Sequence, residues 1–218
     1  MGVIPTTKDY IEFDQSVIDR VLRLRIIDNM LFRYFANNRE AVNEIIDGYL
    51  GKHVRIIDTN PKVTLTNFHK EVTLDSLSYL EGNTFVDIEV QNRKVHNDFK
   101  KCWYHASLIT ANKAGKKCDF DDIPNVIVIY IMDYIGNDIV KPLTLMSNGD
   151  GYDLYLVTNK IKDNSDASEL TQLLSDSSLE IHNEKYPAIC EFFNRLKRDK
   201  GAIWEMCRDM EKRAAEGR

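Results

Sequence analysis

The chain has 218 residues, of which 43% are hydrophobic and 29% charged, with a net charge of −5. That is enough apolar material for a large core and too much for a disordered chain. Four scattered cysteines (Cys102, Cys118, Cys190 and Cys207), none in C-x-x-C spacing, exclude a zinc ribbon or a disulfide framework and fit a reducing compartment. The N-terminal ten residues lack the apolar core of a signal peptide, and the longest strongly apolar run, 126–132, is far too short to span a bilayer. The expectation is a cytoplasmic, membrane-free protein.

In chain order, Asp14 or Ser16 is placed to cap a helix whose apolar residues (Val17, Val21, Leu24, Ile27, Leu31, Phe35) run on to the polar break at Asn37-Asn38. A second helix follows to about Leu50. Val42, Ile45, Ile46 and Tyr49 form its buried stripe, and Gly51 is placed to stop it. From His53 the pattern turns to strands, with a turn signal at Asn60-Pro61. Two β-prone runs, 72–80 and 84–91, flank Glu81-Gly82-Asn83, a three-residue hairpin loop. A helix over 97–111 comes next, with Phe99, Cys102, Trp103 and Ala106 expected on its buried face. Residues 126–132 suit a strand buried on both faces, and 152–158 suit another. Tyr186, Ile189, Phe193 and Leu196 then keep helical spacing, and Gly201 interrupts before Ile203, Met206 and Met210. One core with helical additions at both ends is the simplest reading.

The hairpin carries the sharpest chemical expectation. In an antiparallel pair, facing residue numbers add to a constant, which a loop centred on Gly82 sets at about 164, so Asp75 faces Glu89 with Cβ atoms ~5 Å apart. Alternation adds Asp87 and Gln91 to that side and turns Val86, Ile88 and Val90 into a core. Facing carboxylates repel. A shared proton, an arginine or a hard divalent cation would offset the repulsion, the cation being the commonest device at this spacing. Between Asn92 and Lys117 seven basic residues, among them Arg93, Lys94, Lys100 and Lys101, stand against the single acid Asp98, a local positive field inside an acidic chain. His53, His69, His96, His105 and His182 lack zinc-ligand spacing, and no P-loop or G-x-G-x-x-G is present.

Together, Asp75, the triplet Glu89-Val90-Gln91, and a following helix with Lys101 and Tyr104 resemble the PD-(D/E)XK nuclease superfamily. The E-x-Q form of the last motif resembles the Rpn-type branch, the PD-(D/E)XK nuclease family transposases. The resemblance implies an α/β fold with a restriction-endonuclease-like mixed central sheet flanked by helices. The nuclease-like core would span residues 1–158 and a C-terminal helical extension 159–218. It further implies a metal-dependent DNA endonuclease linked to mobile elements, recombination or defence, possible as a homodimer. Asp75, Glu89 and the backbone carbonyl of Val90 would hold Mg2+ or Mn2+, with Glu40, favoured over Glu44, completing a second position. Gln91 would orient the attacking water. Lys100, Lys101, Tyr104, Arg93 and Lys94 would contact DNA. Gln91 and Lys101 stand where many relatives carry lysine and arginine, and lysine lacks arginine's two-pronged grip on phosphate. The rival expectations are a nuclease-fold module that binds nucleic acid without turnover, and a structural protein assembling through its C-terminal helices.

Overall fold

The computed structural model describes residues 13–67, 70–94, 97–115, 117–137, 139–147 and 151–216. His69, His96 and one of the seven basic residues between Asn92 and Lys117, Lys116, lie outside them. Six strands form one mixed sheet: β1 (Ile56–Thr66), β2 (Glu71–Leu80), β3 (Thr84–Gln91), β4 (Asn125–Met132), β5 (Leu143–Ser147) and β6 (Tyr152–Thr158). Their order is β1-β2-β3-β4-β6-β5, with β3, β4 and β6 parallel and the other neighbours antiparallel. Among the described residues seven α-helices flank it: α1 (Gln15–Leu22), α2 (Asn29–Phe35), α3 (Arg39–Leu50), α4 (Asp98–Lys113), α5 (Asp166–Leu174), α6 (Pro187–Leu196) and α7 (Lys200–Ala215). The protein is therefore an α/β fold with a mixed central sheet and helical additions. No helix among the described residues is long and apolar enough to cross a membrane.

The two faces of the sheet are divided unequally. On β4, Ile127, Ile129 and Ile131 join Val86, Ile88 and Val90 in a large core shared with α1, α2, α3, α5, α6 and α7. The alternate residues Val126, Val128, Tyr130 and Met132 meet Cys102, Ala106, Leu108 and Ile109 of α4. Both faces of β4 are thus covered, as its unbroken apolar run requires. Asn97 caps α4 by accepting from the Lys100 amide, which aims the helix back across the sheet.

Four local expectations are corrected. The apolar spacing through Leu24 to Phe35 suggested one helix, but the chain breaks between α1 and α2. Buried Lys197 takes up the freed carbonyls there, its Nζ donating to Leu22 and Leu24 at 2.7 and 2.6 Å. Asn60-Pro61 is no turn. β1 continues through it, which an edge strand tolerates because one side of its backbone needs no ladder partner. Gly201 lies inside α7, which starts at the Asp199 cap, its side chain accepting from the Ala202 amide. Trp103 and Phe99 are exposed on the outer side of α4, while Cys102 and Ala106 are buried as expected.

Gly48 shows how closely the helical layers approach. A Cβ there would stand 2.6 Å from Leu170 Cδ2 and 3.2 Å from Tyr186 Cε1, and Leu170 is itself fully buried. Gly48→Val should therefore destabilise the protein by roughly 2 kcal/mol through overpacking. In a domain of this size that lowers the thermal midpoint by about 4–8 °C. An unchanged midpoint in a melting experiment would show that this contact yields freely.

Candidate metal centre

The hairpin has the expected register. Leu77 pairs with Asp87 and Ser76 with Ile88, and the loop turns through Gly82 and Asn83 at φ 82° and 53°. Beyond Ser76–Ile88 the ladder stops, and Asp75 and Glu89 stand where the strands part. Each carboxylate reaches the other strand's backbone. The Asp75 amide donates to Glu89 Oε1 at 2.8 Å, and the Val90 amide donates to Asp75 Oδ2 at 3.2 Å. The Asp75 and Val90 amides, left without ladder partners where the strands part, are satisfied by the two acids. Both are buried, at 7% exposure for Asp75 and 2% for Glu89.

Two further groups join from below and from α4. Asp87, one sheet step down from Glu89, is fully buried, and its Oδ1 has no hydrogen-bond partner among the described residues. His105 Nδ1 is 3.0 Å from Asp87 Oδ2 and 3.9 Å from Glu89 Oε1. Ligand atoms of Asp87, Glu89 and His105 lie within 4.8 Å of one another, an arrangement that could hold a metal ion. Lys101, one helical turn before His105 on the same face of α4, brings Nζ to 3.4 Å from Glu89 Oε2.

The electrostatics show the strain in this arrangement. Burial, followed by the charges of Asp87 and Asp75, pushes Glu89 up to about 8. Burial likewise raises Asp87 well above the usual carboxylate range, with Asp75 adding to it. Asp75 is raised by burial against the opposing pull of the Val90 amide and the charges of Arg33, Lys101 and His105. Burial lowers His105, although Glu89 pulls the other way. The imidazole is therefore neutral near pH 7, which leaves Lys101 against Glu89 and the charge of Arg33 reaching Asp75. These two cations do not balance three desolvated carboxyls, which stay raised, so the carboxyls retain protons or accept a cation. The orphaned Asp87 Oδ1, the packed oxygens and one neutral imidazole suit a divalent ion.

The other expected residues are placed as follows. Gln91, half-buried at the end of β3, lines a neighbouring groove. Lys100, Arg93 and Lys94 are exposed. The Tyr104 hydroxyl accepts from Asn67 Nδ2 at 2.8 Å, and Lys70 lies over its ring. Glu40 is not brought to the cluster: it is exposed in the first turn of α3, where its charge suits the helix N-terminus. Glu44 accepts from the amides of Ala188 and Ile189 at the start of α6. The helical side chain whose charge does reach Asp75 from the N-terminal region is Arg33 of α2. His105 was set aside in the sequence for want of zinc spacing. Its i,i+4 relation to Lys101 was the signal that could have found it. No family model, curated protein or solved structure matches the chain.

Proposed function

We propose that the protein is a metal-dependent DNA endonuclease of the Rpn-type PD-(D/E)XK kind, hydrolysing phosphodiester bonds with Mg2+ or Mn2+. One observation carries this reading: Asp75 and Glu89 converge where the β2–β3 ladder lets go, with Lys101 against the outer oxygen of Glu89. Asp75, Glu89 and the carbonyl of Val90 would hold the ion at that mouth, and His105 with Asp87 supports the pair from behind. An all-oxygen donor set of this kind suits a hard divalent ion, Mg2+ or Mn2+. When bound, such an ion lowers the pKa of its water and neutralises charge on the scissile phosphate. The chain's own residues do the rest. Gln91 hydrogen-bonds and aligns the attacking water. Lys101 offsets the carboxylate charge that would repel a phosphate, and Tyr104 borders the approach. Shielding the reacting groups from bulk solvent strengthens each of these interactions.

The test is nicking of supercoiled plasmid with Mg2+ or Mn2+, comparing the natural protein with Asp75→Ala and Glu89→Ala. The reading predicts loss of nicking in both variants, and equal nicking in all three proteins would overturn it. The second reading, a nuclease-fold module that binds DNA without turnover, is favoured by the depth of Glu89 and by the placement of Glu40 away from the cluster. It predicts binding by the natural protein with no metal-dependent nicking.

A further inference from the structure

A groove of about 1100 Å³ opens beside the carboxylates, on the side of the sheet held by α1, α2 and α7 and away from α4. Seven basic and three acidic side chains line it, so its field is positive although the chain is acidic. Arg20 and Arg23 come from the end of α1, Arg33 from α2 and Lys62 from β1. Arg93 follows β3, and Lys212 and Arg213 occupy the last turn of α7. Five elements far apart in sequence thus direct cations into one channel. None of the seven is ion-paired among the described residues, and Arg33 Nε is buried without a hydrogen-bond partner. Acids in the groove are held by neighbours. Asp28 is bound by Arg25 and Asn92, and Asp209 accepts from the Tyr34 hydroxyl.

The groove leads to the metal centre at two points. Gln91 lines it two residues after Glu89. Lys62 lies between the paired Pro61–Ser76 and Val63–Leu74, alongside Asp75 in the next strand, and holds a left-handed backbone at φ 56°. A lysine kept in a conformation that costs of order 1 kcal/mol, beside the site, fits a position whose side chain direction matters.

We infer that this groove, and not the exposed face of α4, is the main track for the phosphate backbone of DNA, and that α7 forms one of its walls. The inference rests on the nuclease reading only for the identity of the polyanion, since the channel's charge is independent of catalysis. Phosphates spaced along a strand would replace the counterions gathered by the seven cations.

The experiment is fluorescence anisotropy of labelled single- and double-stranded oligonucleotides with the full chain in EDTA, where cleavage is blocked, across a salt series. Arg23→Glu/Arg93→Glu/Lys212→Glu is compared with Lys52→Glu/Lys117→Glu/Lys162→Glu, an equal charge change on exposed residues outside the groove. The glutamine versions of the three groove substitutions guard against repulsion alone. The groove triple should bind at least about 30-fold more weakly, with the log–log salt slope reduced by about 3 for duplex, while the control triple stays within about threefold of the natural protein. Equal losses in both triples, no loss in the groove triple, or no DNA binding by the natural protein would each overturn the inference. Groove-dependent binding without nicking would sink the nuclease reading and leave the groove standing. Nicking with groove-independent binding would do the reverse.

Discussion

Glu89→Gln is expected to lose at least about 10³-fold in plasmid nicking while unfolding at the same temperature as the natural protein or higher in EDTA. The rate loss follows from removing a charged ligand worth several kcal/mol to the developing charge, each 1.36 kcal/mol being about tenfold. The stability effect has the opposite sign because Glu89 is buried among like charges. Burial and the neighbouring Asp87 and Asp75 all oppose its ionisation. Glutamine keeps the volume and an oxygen for the Asp75 amide, and Lys101, whose side chain is 30% exposed, can turn to water when its partner is lost. A gain of roughly 1–2 kcal/mol near pH 8 is expected once the penalty of a buried charge is removed. This pairing separates a functional carboxylate from a structural one, since an acid retained for packing would lower the melting midpoint on substitution. A marked fall in midpoint would place Glu89 in the second class.

Stability without metal should fall as pH rises from about 5 to 8. The folded state keeps the Glu89 proton up to about 8, whereas an unfolded glutamate releases it near its ordinary value of 4.5. Across that window the folded form binds more protons, so raising the pH favours unfolding, by at most about 1.4 kcal/mol per pH unit for each proton retained. Asp75 and Asp87, raised from 3.8, act in the same direction. His105, lowered from 6.5, acts oppositely: the unfolded ring takes a proton that the folded one refuses, so its contribution is lost as pH falls below 6.5. With three carboxyls against one imidazole, the fall with rising pH dominates. A divalent ion displaces those protons, so its affinity should tighten up to about tenfold per unit for each proton released below pH 8. Melting curves at about pH 6, 7 and 8, with Mn2+ or EDTA, should show a metal-induced gain that grows with pH. A gain constant across that range would mean that the ion binds elsewhere.

What could be read in the sequence was whatever a short-range period or a turn encodes. The stripe Val42, Ile45, Ile46, Tyr49 with Gly51 behind it defined α3, and Gly51 holds the left-handed cap at φ 65°. The Gly82 loop fixed the β2–β3 register, and with it the meeting of Asp75 and Glu89. The missed features depend on distant partners. The break between α1 and α2 is stabilised by Lys197, more than 170 residues away. β5 is a short edge strand with Leu145 and Met146 exposed, so it carries little burial pattern. Trp103 reads as core by composition but faces outward, because the buried side of α4 is set by Cys102, His105, Ala106 and Ile109. Asp87 was placed on the right face by alternation, yet its partnership with His105 exists only once α4 crosses the sheet. The groove wall from α7 is likewise invisible before the two ends of the chain meet. Glu40 was chosen from helical position alone, which says nothing of which strand a helix turn approaches, and it lies exposed in the first turn of α3.

The central claim is that the parted end of the β2–β3 hairpin binds a divalent cation, and anomalous diffraction from a crystal of the full chain soaked in Mn2+ tests it most directly. The account predicts one strong peak about 2.1–2.2 Å from a Glu89 carboxylate oxygen, with Asp75 as a second ligand. A crystal with no peak at Glu89, or with manganese bound only at surface acids, would contradict it.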